Sequence, residues 1–373
     1  MKLILHIGTE KTGTSSIQQF LMINREFLNR NSILIPKTIS LNTGNHRWAP
    51  VFAYDDDYED DFTKTHLTNG SHSRKKLINE KLKEFKQEIS MSDANVCIVS
   101  SEQLSSRLKT IKNVQNFKQL FNEFFDAISI ILYIRQPIEA AISLLSTAIK
   151  SGCVRKDLDL NKFSNSFNNL KIIQTWETIF SKKNFKIKLF DKVEFVNNDL
   201  IQDFCCECNI KITSRFTIPE MKNKTLTLDQ MKYLNYLNQY FPKFINGRVN
   251  TKRGKLTEFI IKNFKSSNYF LPTKKDYQLF QEHFADNNDF IKREYFPHKK
   301  QLWSTYKKGF ALKENIINDF SEREIEFLDV IRELWSGEIK FLHAIRKLWS
   351  GEKNFKVIVL RIFFNKIKML LGR

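Results

Sequence analysis

His6-Ile7-Gly8-Thr9-Glu10-Lys11-Thr12-Gly13-Thr14-Ser15-Ser16 is the stretch that decides how this chain folds. It leaves an apolar run, Leu3 to Ile7, and enters a segment in which Ile17, Phe20, Leu21, Phe27 and Leu28 recur at helical spacing. The chain therefore passes from a buried strand through a tight loop into a helix. Gly8 and Gly13 let the backbone curl and turn its N–H groups toward an anion. The helix that follows aims its positive end at the same point. Lys11 adds a mobile ammonium, and Thr12, Thr14, Ser15 and Ser16 add hydroxyl donors. The pattern is that of a phosphate or phosphosulfate cradle; the bland alternative is an ordinary strand-to-helix turn rich in Gly and Thr.

Outward from this loop, short apolar runs alternate with helical patterns. Ile33 to Ile35, Val96 to Val99, Ile128 to Ile134 and Phe185 to Phe190 read as further buried strands, and Ile138, Ala141, Ile142, Leu145 and Ile149 as a helix face. Strand and helix in alternation predict βαβ units and a parallel sheet covered on both faces. In such sheets ligands bind beyond the carboxyl ends of the strands. The composition agrees with a packed enzyme-sized chain: 373 residues, 42% hydrophobic, 33 of them Phe. A formal charge of +19 points to an anionic partner. No nucleic-acid-binding motif accompanies the charge, so no nucleic acid is expected.

The N-terminus lacks the apolar length and cleavage site of a secretory signal, and no run approaches a spanning helix. Five cysteines, an odd number without paired C-x-x-C spacing, fit reduced thiols in a cytoplasm better than a disulfide framework or a zinc site, Cys205-Cys206-x-Cys208 included. The acidic run Asp55 to Asp61 reads as a solvated loop. Near the C-terminus, EIEFLDVIRELWSG (324–337) is repeated as EIKFLHAIRKLWSG (338–351), a 14-residue period that sets Phe327, Leu328, Ile331, Leu334 and Trp335 on one side. Residues 353–373 carry six basic and no acidic residues among many Phe, Ile and Leu, a composition suited to a membrane surface or a partner helix.

The spacing of Gly8 and Gly13 matches the nucleotide-kinase loop G-x-x-x-x-G-K-[ST], but Thr14 stands where that loop has its lysine. The lysine has moved inside the loop, to position 11. A second element lies downstream: the strand ending at Arg135-Gln136-Pro137 and the helix carrying Ser143, eight residues after the arginine. Pro137 suits a first helical turn, and arginine offers a planar donor fork to phosphate. Together the two motifs resemble the cofactor site of sulfotransferases that use 3′-phosphoadenosine-5′-phosphosulfate (PAPS), in particular the bacterial, carbohydrate-modifying type. The resemblance covers residues 1–195 well, with Lys188 to Lys192 (KLFDK) similar to the strand after the cofactor helix.

What the resemblance implies is specific. The fold would be α/β, a P-loop-like three-layer sandwich with a central parallel sheet, plus a helical C-terminal extension. A sulfotransferase domain would span 1–320, and the amphipathic extension with its tandem repeat 321–373. Gly8, Lys11, Thr12, Gly13, Thr14, Ser15 and Ser16 would hold the 5′-phosphosulfate, Arg135 and Ser143 the 3′-phosphate, and Lys11 would also steady the departing oxygen. No metal would be required. The acceptor would be a hydroxyl of a carbohydrate or glycolipid, reached at the inner membrane face through peripheral contact by 353–373.

Glu102, following the strand Val96 to Val99, occupies the place where the family sets its base, with a helix-start glutamate as the bland reading. His46 is the runner-up, in a loop where Trp48 could wall a sugar. The family's late Gly-containing basic loop has two candidates, Lys307-Lys308-Gly309 and Arg253-Gly254. The rival readings are a P-loop kinase or NTPase, which the displaced lysine opposes, and a non-catalytic nucleotide-binding membrane scaffold.

Overall fold

In the computed structural model, residues 1–337 are described except 68–70, 156–157, 161–166, 220–224, 247, 307 and 315. The chain divides into two compact units. The first comprises 1–140, 161–223 and 280–306, and the second 141–160, 224–279 and 307–373.

The first unit is built on β1 (Lys2–His6), α1 (Thr14–Ile23), α2 (Arg25–Arg30), β2 (Ile33–Leu34), α3 (Trp48–Val51), α4 (Asp61–His66), α5 (Ser71–Ser90), β3 (Val96–Ser100), α6 (Gln103–Arg107), α7 (Ile111–Phe121) and β4 (Ala127–Ile134). Helix α8 (Pro137–Lys150) leaves it, and α9 (Asn169–Phe180), β5 (Phe185–Leu189) and α10 (Leu200–Glu207) return. Five parallel strands lie in the order β2-β3-β1-β4-β5. β1 is central. The connection from β1 leads toward β2 and that from β4 toward β5, so a crevice opens between the carboxyl ends of β1 and β4, where ligands of open α/β sheets bind.

The period-2 alternation of each strand feeds two separate cores. Leu3, Leu5 and Ile7, with Cys97, Val99, Ile130 and Leu132, face α5, α7 and α9 through Phe85, Phe117, Phe121 and Trp176. Ile98, Ile131 and Tyr133 face the other way, against Ile17, Phe20 and Leu21 of α1 and Phe204 of α10. Phe117 stacks on Phe121 at 4.0 Å between ring centroids, and Trp176 on Phe180 at 5.6 Å. A fully buried aromatic of this kind contributes about 3–5 kcal/mol against truncation to alanine. Burial on both faces is why these strands read as unbroken apolar runs. The three-layer α/β sandwich with a central parallel sheet is as expected.

The second unit holds the later turns of α8, then α11 (Leu228–Asn238), a hairpin of β6 (Phe244–Ile245) and β7 (Arg248–Val249), α12 (Leu256–Asn263), most of α13 (Lys274–His283) and α15 (Glu322–Ser336). Helix α14 (Ala285–Tyr295) belongs to the first unit. The division therefore differs from the one expected at 320. Helix α15 is no free extension: Phe327, Leu328, Val330, Ile331 and Leu334 are buried, Lys232 pairs with Glu324 at 3.0 Å, and Tyr236 donates to Asp329 at 2.8 Å. Ser321 caps it, accepting from the N–H of Glu324 while that carboxylate accepts from Ser321 N–H. The second copy of the repeat and the basic segment 353–373 lie outside the described residues. Among the described residues no helix is long and apolar enough to cross a membrane.

Candidate active site

The loop after β1 is tied down by its own side chains. Thr9 donates to the Tyr133 carbonyl from both its N–H and its Oγ1, at 3.1 Å each, which anchors the loop to the end of β4. Thr12, wholly buried, donates to the Thr9 carbonyl at 2.6 Å and closes the curl. Its hydroxyl is thus spent on shaping the loop, so Thr12 offers a ligand its backbone N–H. Gly8, Lys11 and Gly13 all have positive φ, 42°, 71° and 72°. At Gly13, which caps α1 in the left-handed region, a Cβ would come within 2.3 Å of Leu200 Cδ2; at Gly8 it would meet Thr14 Cγ2 at 2.6 Å. Both positions demand glycine. Lys11 holds a conformation that lysine rarely adopts, a strain of the kind found at functional loops.

The first-turn N–H groups of Thr14 and Ser15 are among those a helix leaves without internal partners, and Ser15 is exposed beside them. Burial lowers the Lys11 pKa, against the opposing pull of the Glu10 and Glu102 carboxylates; the Arg135 charge lowers it further. The half-buried ammonium thus has two carboxylates and an arginine in its field.

Arg135 emerges from β4 beside this loop. Its Nη1 donates to the Lys11 carbonyl at 3.0 Å, its guanidinium lies 3.4 Å from Glu139 Oε2, and it sits 5.3 Å from the centre of the Phe190 ring. Asn169 Nδ2 donates to its backbone carbonyl at 3.2 Å. Burial lowers the Arg135 pKa and Glu139 opposes the shift. Pro137 begins α8 as expected, and Ser143 lies on that helix, half-buried, in the part belonging to the second unit.

Glu102 stands at the end of β3, next to β1 in the sheet, as the residue before α6. Its side chain makes no capping hydrogen bond to that helix. Three amides hold the carboxylate instead: Gln18 Nε2 at 2.6 Å and Asn45 Nδ2 at 3.1 Å on Oε2, and Gln103 Nε2 at 3.1 Å on Oε1. Gln18 belongs to the helix that opens the phosphate loop, so base candidate and cradle share one framework. The backbone behind Glu102 is pinned as well. Ser101 N–H donates to the His6 carbonyl at 3.0 Å, and Ser105 Oγ donates to the Gly8 carbonyl at 2.5 Å.

His46 is corrected by the structure. It is wholly buried; its Nδ1 accepts from Ser100 N–H at 2.9 Å and its Nε2 donates to the Pro36 carbonyl at 3.1 Å. Desolvation chiefly, with the Arg25 charge, lowers its pKa to about 4. A neutral ring with both nitrogens engaged cannot take an acceptor's proton; His46 holds Ser100, two residues before Glu102. Trp48 likewise packs edge-on to Phe62 at 5.2 Å and joins the core instead of walling a sugar. His6 is also wholly buried, 2.8 Å from Ser100 Oγ through Nδ1, with its pKa lowered by burial to about 3. Its Nε2 has no hydrogen-bond partner and would lie 3.6 Å from a Cβ built at Gly8.

Among the solved structures to which the chain is similar is a sulfotransferase from Alicyclobacillus acidocaldarius. The two are 14% identical, with a TM-score of 0.37 over 63% of this chain and 91% of that one. No family model and no curated protein matches the chain.

Several residues of the site were not legible beforehand. Asp60, in the acidic run that reads as solvated, has a side chain only 9% exposed: it forms an ion pair with Arg47, accepts from Tyr54 Oη at 3.2 Å, and caps α4. Arg107 lies 3.6 Å from Asp60 and 3.3 Å from Glu10, carrying this network to the loop. Asn45 and Gln18 carry no motif. Only a pairing of two adjacent elements could have revealed them. Arg253 is buried among Asn238, Phe241 and Thr257 of the second unit, which commits it to internal bonds, and Lys307 lies outside the described residues. Among the described residues no cluster of three or more His, Cys, Asp or Glu side chains is placed to hold a metal.

Proposed function

We propose that this chain transfers a sulfuryl group from PAPS to a hydroxyl of a carbohydrate or glycolipid acceptor. The observation that carries the reading is the convergence of Lys11, Arg135 and Glu102 at the carboxyl ends of three adjacent strands, β1, β4 and β3, around a loop whose glycines take the positive φ that its curl requires. A loop that opens a helix while holding its lysine inside the curl suits a phosphosulfate. It lacks the lysine after Gly13 that a kinase places on β- and γ-phosphates.

PAPS supplies a sulfur already bonded to a good leaving group. The protein's part is to hold and to move a proton. Gly8, Thr12 and Gly13 offer backbone N–H groups, and Thr14, Ser15 and Ser16 the helix start, to the 5′-phosphosulfate. Arg135, with Ser143 as a further ligand, holds the 3′-phosphate. Glu102 takes the acceptor's proton as its oxygen bonds to sulfur. The bond from sulfur to the bridging phosphate oxygen breaks, and Lys11 meets the negative charge that gathers on that oxygen. Gln18, Asn45 and Gln103 keep Glu102 in place for this. No step needs a metal. The setting we infer is cytoplasmic, with residues 353–373 resting on the inner membrane face near a lipid-linked glycan.

The test is calorimetric binding of 3′-phosphoadenosine-5′-phosphate (PAP) against ATP–Mg²⁺, for the native chain and Arg135→Ala. Selective binding of PAP, weakened tenfold or more by the substitution, is the expected result, since a charge-assisted phosphate contact is worth about 1.5–3 kcal/mol. Preference for ATP would favour the kinase reading. PAP affinity without turnover on any glycan acceptor would favour the scaffold.

A further inference from the structure

A cavity of about 430 Å³ opens beside Thr9 and Glu10 of the phosphate loop, bounded by the end of α6 and the start of α9. Its charges do not balance. Arg107, Lys109 and Lys171 line it against a single carboxylate, Glu10. That carboxylate is already met by Arg107 at 3.3 Å, and Arg107 also lies 3.6 Å from Asp60. Lys109 and Lys171 are exposed at the cavity, with no carboxylate within ion-pair distance among the described residues. Two cations at one mouth repel each other, and an anion between them relieves the repulsion.

Two further features give the cavity its direction. Helix α9 starts there: Asn168 caps it, accepting from Lys171 N–H at 2.9 Å, so the helix dipole adds to the positive field. The opposite character comes from Ile172, half-buried at the cavity; Leu108 and Trp176 belong to the core and present almost no surface to it. Trp176 is wholly buried, and its Nε1–H has no hydrogen-bond partner. Cations at the rim, an apolar flank and the hydroxyls of Ser106 and Thr175 together suit a sugar ring bearing a charge. An uncharged ring would leave the two lysines without purpose.

We propose that this cavity is the acceptor subsite and that it takes a sugar carrying a carboxylate or a phosphate, met by Lys109 and Lys171. The word acceptor rests on the sulfuryl-transfer reading; the anion subsite does not. The test is a ligand-observed NMR titration of the full chain, with and without saturating PAP, using glucuronate, glucose 6-phosphate and glucose as probes. One or both charged sugars are expected to bind about tenfold or more tightly than glucose, as one charge-assisted contact supplies; the stronger of the two identifies the anion. Lys109→Ala with Lys171→Ala should erase that preference while leaving PAP affinity within about twofold, and the paired arginine variant should restore it. Equal binding of all three sugars, or binding of none, overturns the proposal. So does a loss of PAP affinity in the alanine variant, which would assign the cavity to the cofactor. Charged-sugar binding that depends on the lysines in a chain that ignores PAP would keep the anion subsite and remove the sulfuryl-transfer reading instead.

Discussion

Acid should unfold this protein through two histidines that never meet solvent. His6 and His46 lie behind the phosphate loop and behind Glu102, wholly buried, with burial lowering their pKa values from 6.5 to about 3 and about 4. In the unfolded chain both rings protonate as pH falls through 6.5, whereas in the folded chain they stay neutral until far lower. The unfolded state therefore binds more protons in this window, and stability must fall as pH falls. Between pH 7.5 and 5.0 each ring forfeits about 1.5 pH units of protonation, or about 2 kcal/mol, and the pair about 4 kcal/mol. That is a large share of the ~5–15 kcal/mol by which folded domains are held.

Carboxylates whose pKa the fold lowers, such as Asp60, Glu207 and Glu324, lose their contribution only as pH falls toward and below their unfolded values, so they add little above pH 5. The assay is urea unfolding followed by circular dichroism at pH 7.5, 6.5, 5.75 and 5.0, for the native chain, His6→Gln and His46→Gln. Each variant starts less stable, but its further loss on acidification should be about half the native one. A native unfolding free energy that stays flat from pH 7.5 to 5.0 would refute the reasoning, as would variants that retain the full loss.

Three other outcomes follow from the site. Glu102→Gln should lower turnover by about 10²–10⁴-fold, the usual contribution of a positioned base, and leave PAP affinity within about twofold; equal losses in turnover and PAP binding would make it a structural residue. Gly13→Ala should cost about 2–4 kcal/mol, read as the urea midpoint, because the left-handed backbone and the 2.3 Å approach to Leu200 both oppose a Cβ. Asp60→Asn should cost about 3–5 kcal/mol by leaving the Arg47 guanidinium buried without its partner. A change below 1 kcal/mol would mean that water reaches the pair.

The strands, the loop and the start of α8 at Pro137 were legible in the sequence because each depends on near neighbours along the chain. A parallel strand buried on both faces must read as a run such as Ile128 to Ile134, and a cradle must place its glycines where a Cβ will not fit, as at Gly8 and Gly13. Other features had no local signature. The order β2-β3-β1-β4-β5 brings Glu102 beside the loop, yet the residues that then hold it, Gln18 and Asn45, lie 84 and 57 positions away. Asp60 looked solvated among five acidic neighbours and Tyr58, and His46 looked free in its loop; a backbone or side chain from elsewhere in the chain closes over each of them. The second unit gathers three separated segments, so no single composition shift marks its edge. Local periodicity specifies which segments become strand or helix. The partners that bury a charge, orient a carboxylate or mute a histidine are decided only when the sheet brings remote segments together, since burial and hydrogen bonding depend on distance in space and not along the chain.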